Sequence, residues 1–230
     1  AKAMASLNHP NIVKLLDHGG TPDSHLYLVM EVIDGPHLGQ LARQWGDMPE
    51  TLLAAIGLEL ASALAHAHNQ GIIHRDLKPE NVFLDNGRLV LADFGIAKAI
   101  AENSPLGEDA KKITEIIGTP GFMAPEQLQQ QTLYPQTDIF ACGALLYFLA
   151  CGKVPYEGSS PYMMIKNMRE TRPVPLSDLR PELSEKFTKL IQLCLSFAPN
   201  MRPVSMDAVH EQLRDILWDS GANDIANIFV

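Results

Sequence analysis

The sequence predicts an α+β fold in which strands are few and lie mainly near the start, while helices fill the remainder. Two observations carry that expectation. Short apolar strand patterns occur at residues 12–16 and 26–31, and from residue 49 onward apolar side chains recur at intervals of three and four, the spacing of one helical face. With 230 residues, 46% of them hydrophobic, the chain holds enough apolar material for one ordinary core.

Leu52, Leu53, Ile56, Leu60 and Leu64 mark an amphipathic helix over residues 49–69, stopped by Gly71. A hairpin follows, in which residues 82–84 and 88–91 flank Asp85-Asn86-Gly87; Asn and Gly tolerate the positive φ that a tight hairpin turn demands. Over residues 99–115 periodicity fades and Gly, Ser, Pro and charged residues mark an exposed loop. Further helices are expected at 136–151, 161–169, 182–196 and 205–217, between Pro- and Gly-bearing turns.

Several function classes are disfavoured by the same reading. A formal charge of −9, with no basic cluster beyond Lys111-Lys112, argues against a nucleic-acid or anionic-membrane surface. Cys142, Cys151 and Cys194 form no C-x-x-C pair and are expected as reduced thiols of a cytoplasmic protein. The apolar run 139–151 is shorter than the roughly 20 residues that span a bilayer, so it reads as a buried helix, and no membrane segment is expected. His66 and His68, two residues apart, fall on different helical faces and suit helix surface or core better than a shared metal.

The residues that carry chemistry cluster around the hairpin. His74-Arg75-Asp76-Leu77-Lys78-Pro79-Glu80-Asn81 precedes it and Asp93-Phe94-Gly95 follows it. These runs, HRDLKPEN and DFG, resemble the catalytic and metal-binding loops of the protein kinase family. GTPGFMAPE at 118–126 and Arg202-Pro203 extend the likeness over nearly the whole chain. Its style resembles the bacterial, eukaryotic-like (Hanks-type) Ser/Thr kinases.

The resemblance implies a protein-kinase-like fold represented mainly by its helical C-lobe. Residues 1–34 would be a partial N-lobe and hinge (the end of the family's C helix and its fourth and fifth strands), 35–217 the C-lobe and 218–230 a C-terminal tail. It further implies ATP and Mg2+ as cofactors and a protein substrate with a Ser or Thr acceptor. Phosphoryl transfer needs charge neutralisation and in-line placement more than covalent chemistry, and each matching residue has a task in it. Asp76 would accept the substrate hydroxyl proton, Asn81 and Asp93 would hold magnesium, and Lys78 would face the transferred phosphate. Lys78, with Thr119 pairing to it and to Asp76, resembles the Ser/Thr branch of the family.

Other matches read as architecture. Glu126 and Arg202 resemble the family's buried ion pair, Asp138 the helix-borne aspartate that binds the catalytic-loop backbone, and His74 and Phe94 an apolar column with Met4 and Leu15 above. Residues 28–35 resemble the strand and hinge at the adenine site. There Met30 would be the gatekeeper, backbone groups of Glu31 and Ile33 would meet the adenine edge, and Phe83 would form its floor. Arg75 resembles the arginine of kinases switched by a phosphate on the activation loop, with Ser104 and Thr114 as the hydroxyls able to receive it.

The departures matter as much. Neither a G-x-G-x-x-G loop nor a V-A-I-K lysine stands before the hinge, and the family's C-helix glutamate would precede Ala1. Assayed alone, the chain is therefore expected to be slow or inactive, and its two-stranded sheet to invite a partner or self-association at the open edge. Two other readings compete: a non-catalytic kinase-fold binding module, against which the intact Asp76, Lys78, Asn81 and Asp93 argue, and a small-molecule phosphotransferase, which generally lacks the 118–126 segment.

Overall fold

A computed structural model describes residues 7–19, 27–94 and 120–221. Expectations attached to Met4, the loop 99–115, Ser104, Thr114 and Thr119 lie outside these residues.

Two antiparallel ribbons are joined to a body of helices. In the first, β1 (Leu15–Gly19) pairs with β2 (Tyr27–Met30), and in the second, β3 (Val82–Asp85) pairs with β4 (Arg88–Leu91). The turn between β3 and β4 has Asn86 at φ 50° and Gly87 at φ 75°, the left-handed pair expected of Asn-Gly. The first ribbon corrects the sequence reading. Residues 12 and 13 do not belong to β1: Ile12 bridges Leu91 in parallel, and Val13 N–H donates to Leu91 O at 3.0 Å. Both side chains are buried, so an apolar run that reads as a strand serves instead to fasten the first ribbon to the second. Asn11 strengthens the joint, donating through Nδ2 to Leu89 O (2.9 Å) and to the Glu59 carboxylate.

The helices are α1 (Leu38–Trp45), α2 (Glu50–Asn69), α3 (Pro125–Leu128), α4 (Pro135–Cys151), α5 (Pro161–Glu170), α6 (Leu176–Leu179), α7 (Glu185–Cys194) and α8 (Met206–Asp219). Short 3-10 turns occupy Pro79–Asn81, Pro120–Phe122 and Pro199–Met201. α1 escaped the sequence reading, because eight residues containing Gly39 offer too little periodicity. It is started by His37, whose N–H donates to Gln40 Oε1 at 3.1 Å. α7 begins three residues later than the spacing suggested, at Glu185, because the Ser184 hydroxyl caps it by accepting from Phe187 N–H. α8 runs to Asp219, two residues into the expected 218–230 tail.

α2 lies at the centre, against α4 and α8. It is less amphipathic than its leucines suggest, since nine alanine, leucine and isoleucine side chains from Leu53 to Leu64 are buried on most of its circumference. By length and composition α2 could cross a membrane, but 67% of its most apolar window is buried among its neighbours, which makes it the core helix. α4, buried almost continuously from Thr137 to Tyr147, meets the expectation of a buried helix and ends on Gly152 at φ 70°.

Candidate active site

The site is built where the segment between α2 and β3 crosses the N-terminal end of α4. Asp138, in the first turn of α4 and 1% exposed, gathers three donors. Its Oδ2 accepts from His74 N–H and His68 Nε2, both at 2.8 Å, and its Oδ1 from Arg75 N–H at 3.0 Å. Arg75 sits at φ 69°, a conformation disfavoured for a side chain with Cβ, and Asp93 at φ 54°. Such backbone persists only where neighbouring bonds over-determine it, and Asp138 supplies that constraint at Arg75. Asp138 thus occupies the position expected of it. His68 had read as helix surface or core; only the packing of α2 on α4 discloses it as a partner.

His74 is fully buried and makes two ring bonds. Nδ1 accepts from Asp76 N–H at 3.2 Å, so Nε2 carries the proton and donates to Ala92 O at 2.9 Å. Burial holds this imidazole below its ordinary value, against the raising pull of Asp138, the Ala92 carbonyl, Asp76 and Asp93, and a neutral ring suits both bonds. Its ring centroid lies 4.6 Å from that of Phe94, with the two planes tilted by 53°.

Asp76 and Asn81 face each other across the tight Pro79–Asn81 turn. Lys78 Nζ donates to Asp76 Oδ2 at 2.9 Å, and Asn81 Nδ2 donates both to that oxygen (3.2 Å) and to Asp76 O (2.8 Å). Ala92 N–H donates to Asn81 O at 2.9 Å, which brings the exposed Asp93 beside Asn81 from the far side of the hairpin. The residues 74–81 and 93–94 singled out in the sequence therefore converge. A small cleft lined by Asp76, Lys78, Phe122, Met123 and Gln127 runs from this group toward α3. Gln127, which the sequence did not flag, donates from Nε2 to Arg75 O at 2.7 Å and ties α3 to the loop.

The side chains expected at the adenine site are likewise brought together. Met30, Ile33 and Phe83 pack on Val13, Val90 and Ala92, an apolar cluster separate from the main core. Glu31 N–H donates to Lys14 O at 3.0 Å, and its carboxylate takes Lys14 N–H (3.1 Å) and Arg88 Nη2 (3.4 Å). After the hinge the chain runs hard against β3. A Cβ on Gly35 would meet Leu84 O at 1.9 Å, and Leu84 N–H donates to Pro36 O at 3.0 Å.

Beneath the site, Arg202 and Glu126 form the expected buried pair with two parallel bonds, Nη1 to Oε1 at 2.7 Å and Nη2 to Oε2 at 2.9 Å. Thr137 Oγ1 adds a donor to Glu126 at 2.8 Å. Arg202 spends its other donors on the carbonyls of Ser196, Phe197 and Gln136. Burial pushes the Glu126 carboxyl up, but the bonds and charge of Arg202, with help from the backbone and Thr137, outweigh it and hold the group below the usual carboxylate range.

Comparisons with known proteins bear on the family and the fold. The family model described as "Protein kinase domain" matches residues 1–213. Serine/threonine-protein kinase pkn3 of Myxococcus xanthus is 36% identical over 224 residues, covering 94% of this chain and 41% of that protein. A probable serine/threonine-protein kinase PknB of Lactococcus lactis is 36% identical over 193 residues, covering 83% and 30%. The solved kinase domain of Mycobacterium tuberculosis PknI superposes with a TM-score of 0.72 at 26% identity, covering 94% of this chain and 75% of that one. The chain spans less than half the length of these two curated relatives. By sequence match, fold and the arrangement of its central loop, this chain belongs to the protein kinase family.

Proposed function

We propose that the chain carries the catalytic loop of an ATP-dependent serine/threonine protein kinase, which moves the γ-phosphoryl group of ATP to Ser or Thr hydroxyls of a protein. The observation that carries this reading is the convergence of Lys78 Nζ and Asn81 Nδ2 on one oxygen of Asp76, with Asp93 alongside. Asp76 accepts the proton of the attacking hydroxyl, and the Lys78 ammonium offsets charge on the group in transfer. Met30, Ile33 and Phe83 provide the apolar bed for adenine, and Glu31 O its hydrogen-bonding edge.

Asn81 and Asp93 are the residues that would hold Mg2+. The Asn81 amide nitrogen is committed to Asp76, its oxygen accepts no hydrogen bond among the described residues, and the Asp93 carboxylate is exposed. Two hard oxygens suit magnesium, which takes one or two protein ligands and fills its shell with phosphate and water. No group of three or more His, Cys, Asp or Glu able to hold a metal alone occurs among the described residues. Held there, the ion would supply positive charge to offset that of the phosphates.

Lys78 in the loop, and relatives named as serine/threonine kinases, support hydroxyl acceptors on Ser and Thr. The test is phosphorylation of a generic protein with ATP and magnesium by this chain, by a version extended with an N-terminal lobe, and by the extended Asp76→Asn protein. Activity is expected in the extended protein, weak or none in the chain alone, and lower by about 10²–10⁴ for Asp76→Asn. Undiminished Asp76→Asn turnover would remove Asp76 from its role, and inactivity of every version would favour a binding module.

The β1–β2 ribbon leaves Leu16, Tyr27 and Val29 exposed, and we place self-association or a partner on this edge. Sedimentation of the chain at rising concentration should show growing mass; a single monomeric species throughout would contradict it.

A further inference from the structure

A cavity of about 760 Å³ lies away from Asp76, between α5, the 171–177 segment, α7 and the 196–201 turn. That falls within the range of roughly 300–1,000 Å³ typical of small-molecule sites. We propose that it binds a small amphipathic anion, an alkyl chain of fatty-acid type ending in a carboxylate.

Charge points to an anion. The chain carries 27 acidic against 18 basic residues, yet the ionisable side chains lining this cavity, tyrosines aside, are Arg169, Arg172 and Lys189, with no carboxylate among them. Lys189 is engaged by Glu185 at 2.7 Å. Arg169 and Arg172 have no carboxylate partner among the described residues, and Arg169 is held in place over the Phe197 ring at 5.5 Å. Two guanidinium groups thus stand ready for a carboxylate at the mouth.

The interior points to an alkyl chain. Its floor is made by buried Met168, Leu176, Ile191 and Leu195 with the rings of Tyr147 and Tyr156, and its lip by exposed Val174, Leu193 and Met201. Three of the hydroxyls along the wall already donate within the protein: Tyr147 to Val174 O (2.8 Å), Thr171 to Asn167 O (2.6 Å) and Thr188 to Ser184 O (3.2 Å). A peptide entering here would bring carbonyls in need of donors that these three hydroxyls no longer supply, whereas a hydrocarbon chain has no such need. Three exposed apolar side chains around one opening are also a cost in water that an alkyl ligand would relieve.

The experiment uses this chain labelled with 13C at its methionine methyls, titrated with dodecanoate below its micelle concentration. Met168 and Met201 line the cavity, and buried Met48 and Met206 serve as references. Saturable shifts at Met168 and Met201, with the references unmoved, are expected. Dodecyltrimethylammonium, the same chain with the opposite charge, should bind at least tenfold more weakly, and Arg172→Glu, at an exposed position, should weaken dodecanoate by a similar factor. No saturable shift at Met168 and Met201, equal binding of the cationic chain, or unaltered affinity in a folded Arg172→Glu protein would each overturn the proposal.

Discussion

Arg202→Met is expected to lower the stability of the chain by about 3–5 kcal/mol, the cost of stranding one member of a buried ion pair. Glu126 would keep its burial but lose both parallel bonds, and the carbonyls of Ser196, Phe197 and Gln136 would lose their donor. Urea unfolding at neutral pH reads the loss. The Glu126→Gln/Arg202→Met double variant should be more stable than the single one, because no uncompensated charge remains; equal or lower stability would show that the lost carbonyl bonds dominate.

The pH dependence follows from the depressed Glu126. A carboxyl whose folded value lies below its unfolded value contributes stability that is fully present above the unfolded value, about 4.3, and lost as pH falls through the folded one. In Arg202→Met the two largest lowering influences are gone, and burial, opposed then only by the backbone and Thr137, should move the carboxyl upward. Its destabilisation should therefore shrink as acid protonates Glu126, and the wild-type and variant stabilities should approach each other below about pH 4.

Asp138→Ala should nearly abolish phosphoryl transfer without touching any reacting group. His74 N–H, Arg75 N–H and His68 Nε2 would lose their common acceptor, and the left-handed Arg75 its restraint. Each buried donor left unsatisfied costs about 1–3 kcal/mol, and a shift of about 1 Å in the loop bearing Asp76 can cost roughly 10² in rate. In an N-terminally extended kinase the expected result is a fall of that size or more in kcat with a smaller change in KM for ATP, because Asp138 bonds the loop backbone and His68 but neither Met30 nor Phe83. Asp138→Asn, which keeps one acceptor oxygen, should fall between. A change confined to KM would show that Asp138 does not position the loop.

Much of the site was legible because it is local in sequence. Asp76, Lys78 and Asn81 lie within one turn of chain, and the Asn86-Gly87 hairpin brings Asp93 back to Asn81, so spacing alone nearly determines their meeting. The long helices were legible for a similar reason, since burial repeats every three or four residues along α7 and α8. Residues 12 and 13 misled because β-branched apolar side chains suit a strand in any sheet, and the pattern cannot say which neighbour they will join.

What the sequence by itself determined is the family, the central loop with its hairpin, and the pairing of Glu126 with Arg202, the last through the family's pattern. What only the tertiary structure decided are the contacts between distant elements: His68 on Asp138, Gln127 on the Arg75 carbonyl, Ile12 and Val13 on β4, and the cavity between α5 and α7. The physical reason is one of range. Backbone turns and helix spacing are set by residues a few positions apart. A buried polar atom takes whichever partner the packing of helices brings within reach, and a cavity is the space that packing leaves unfilled.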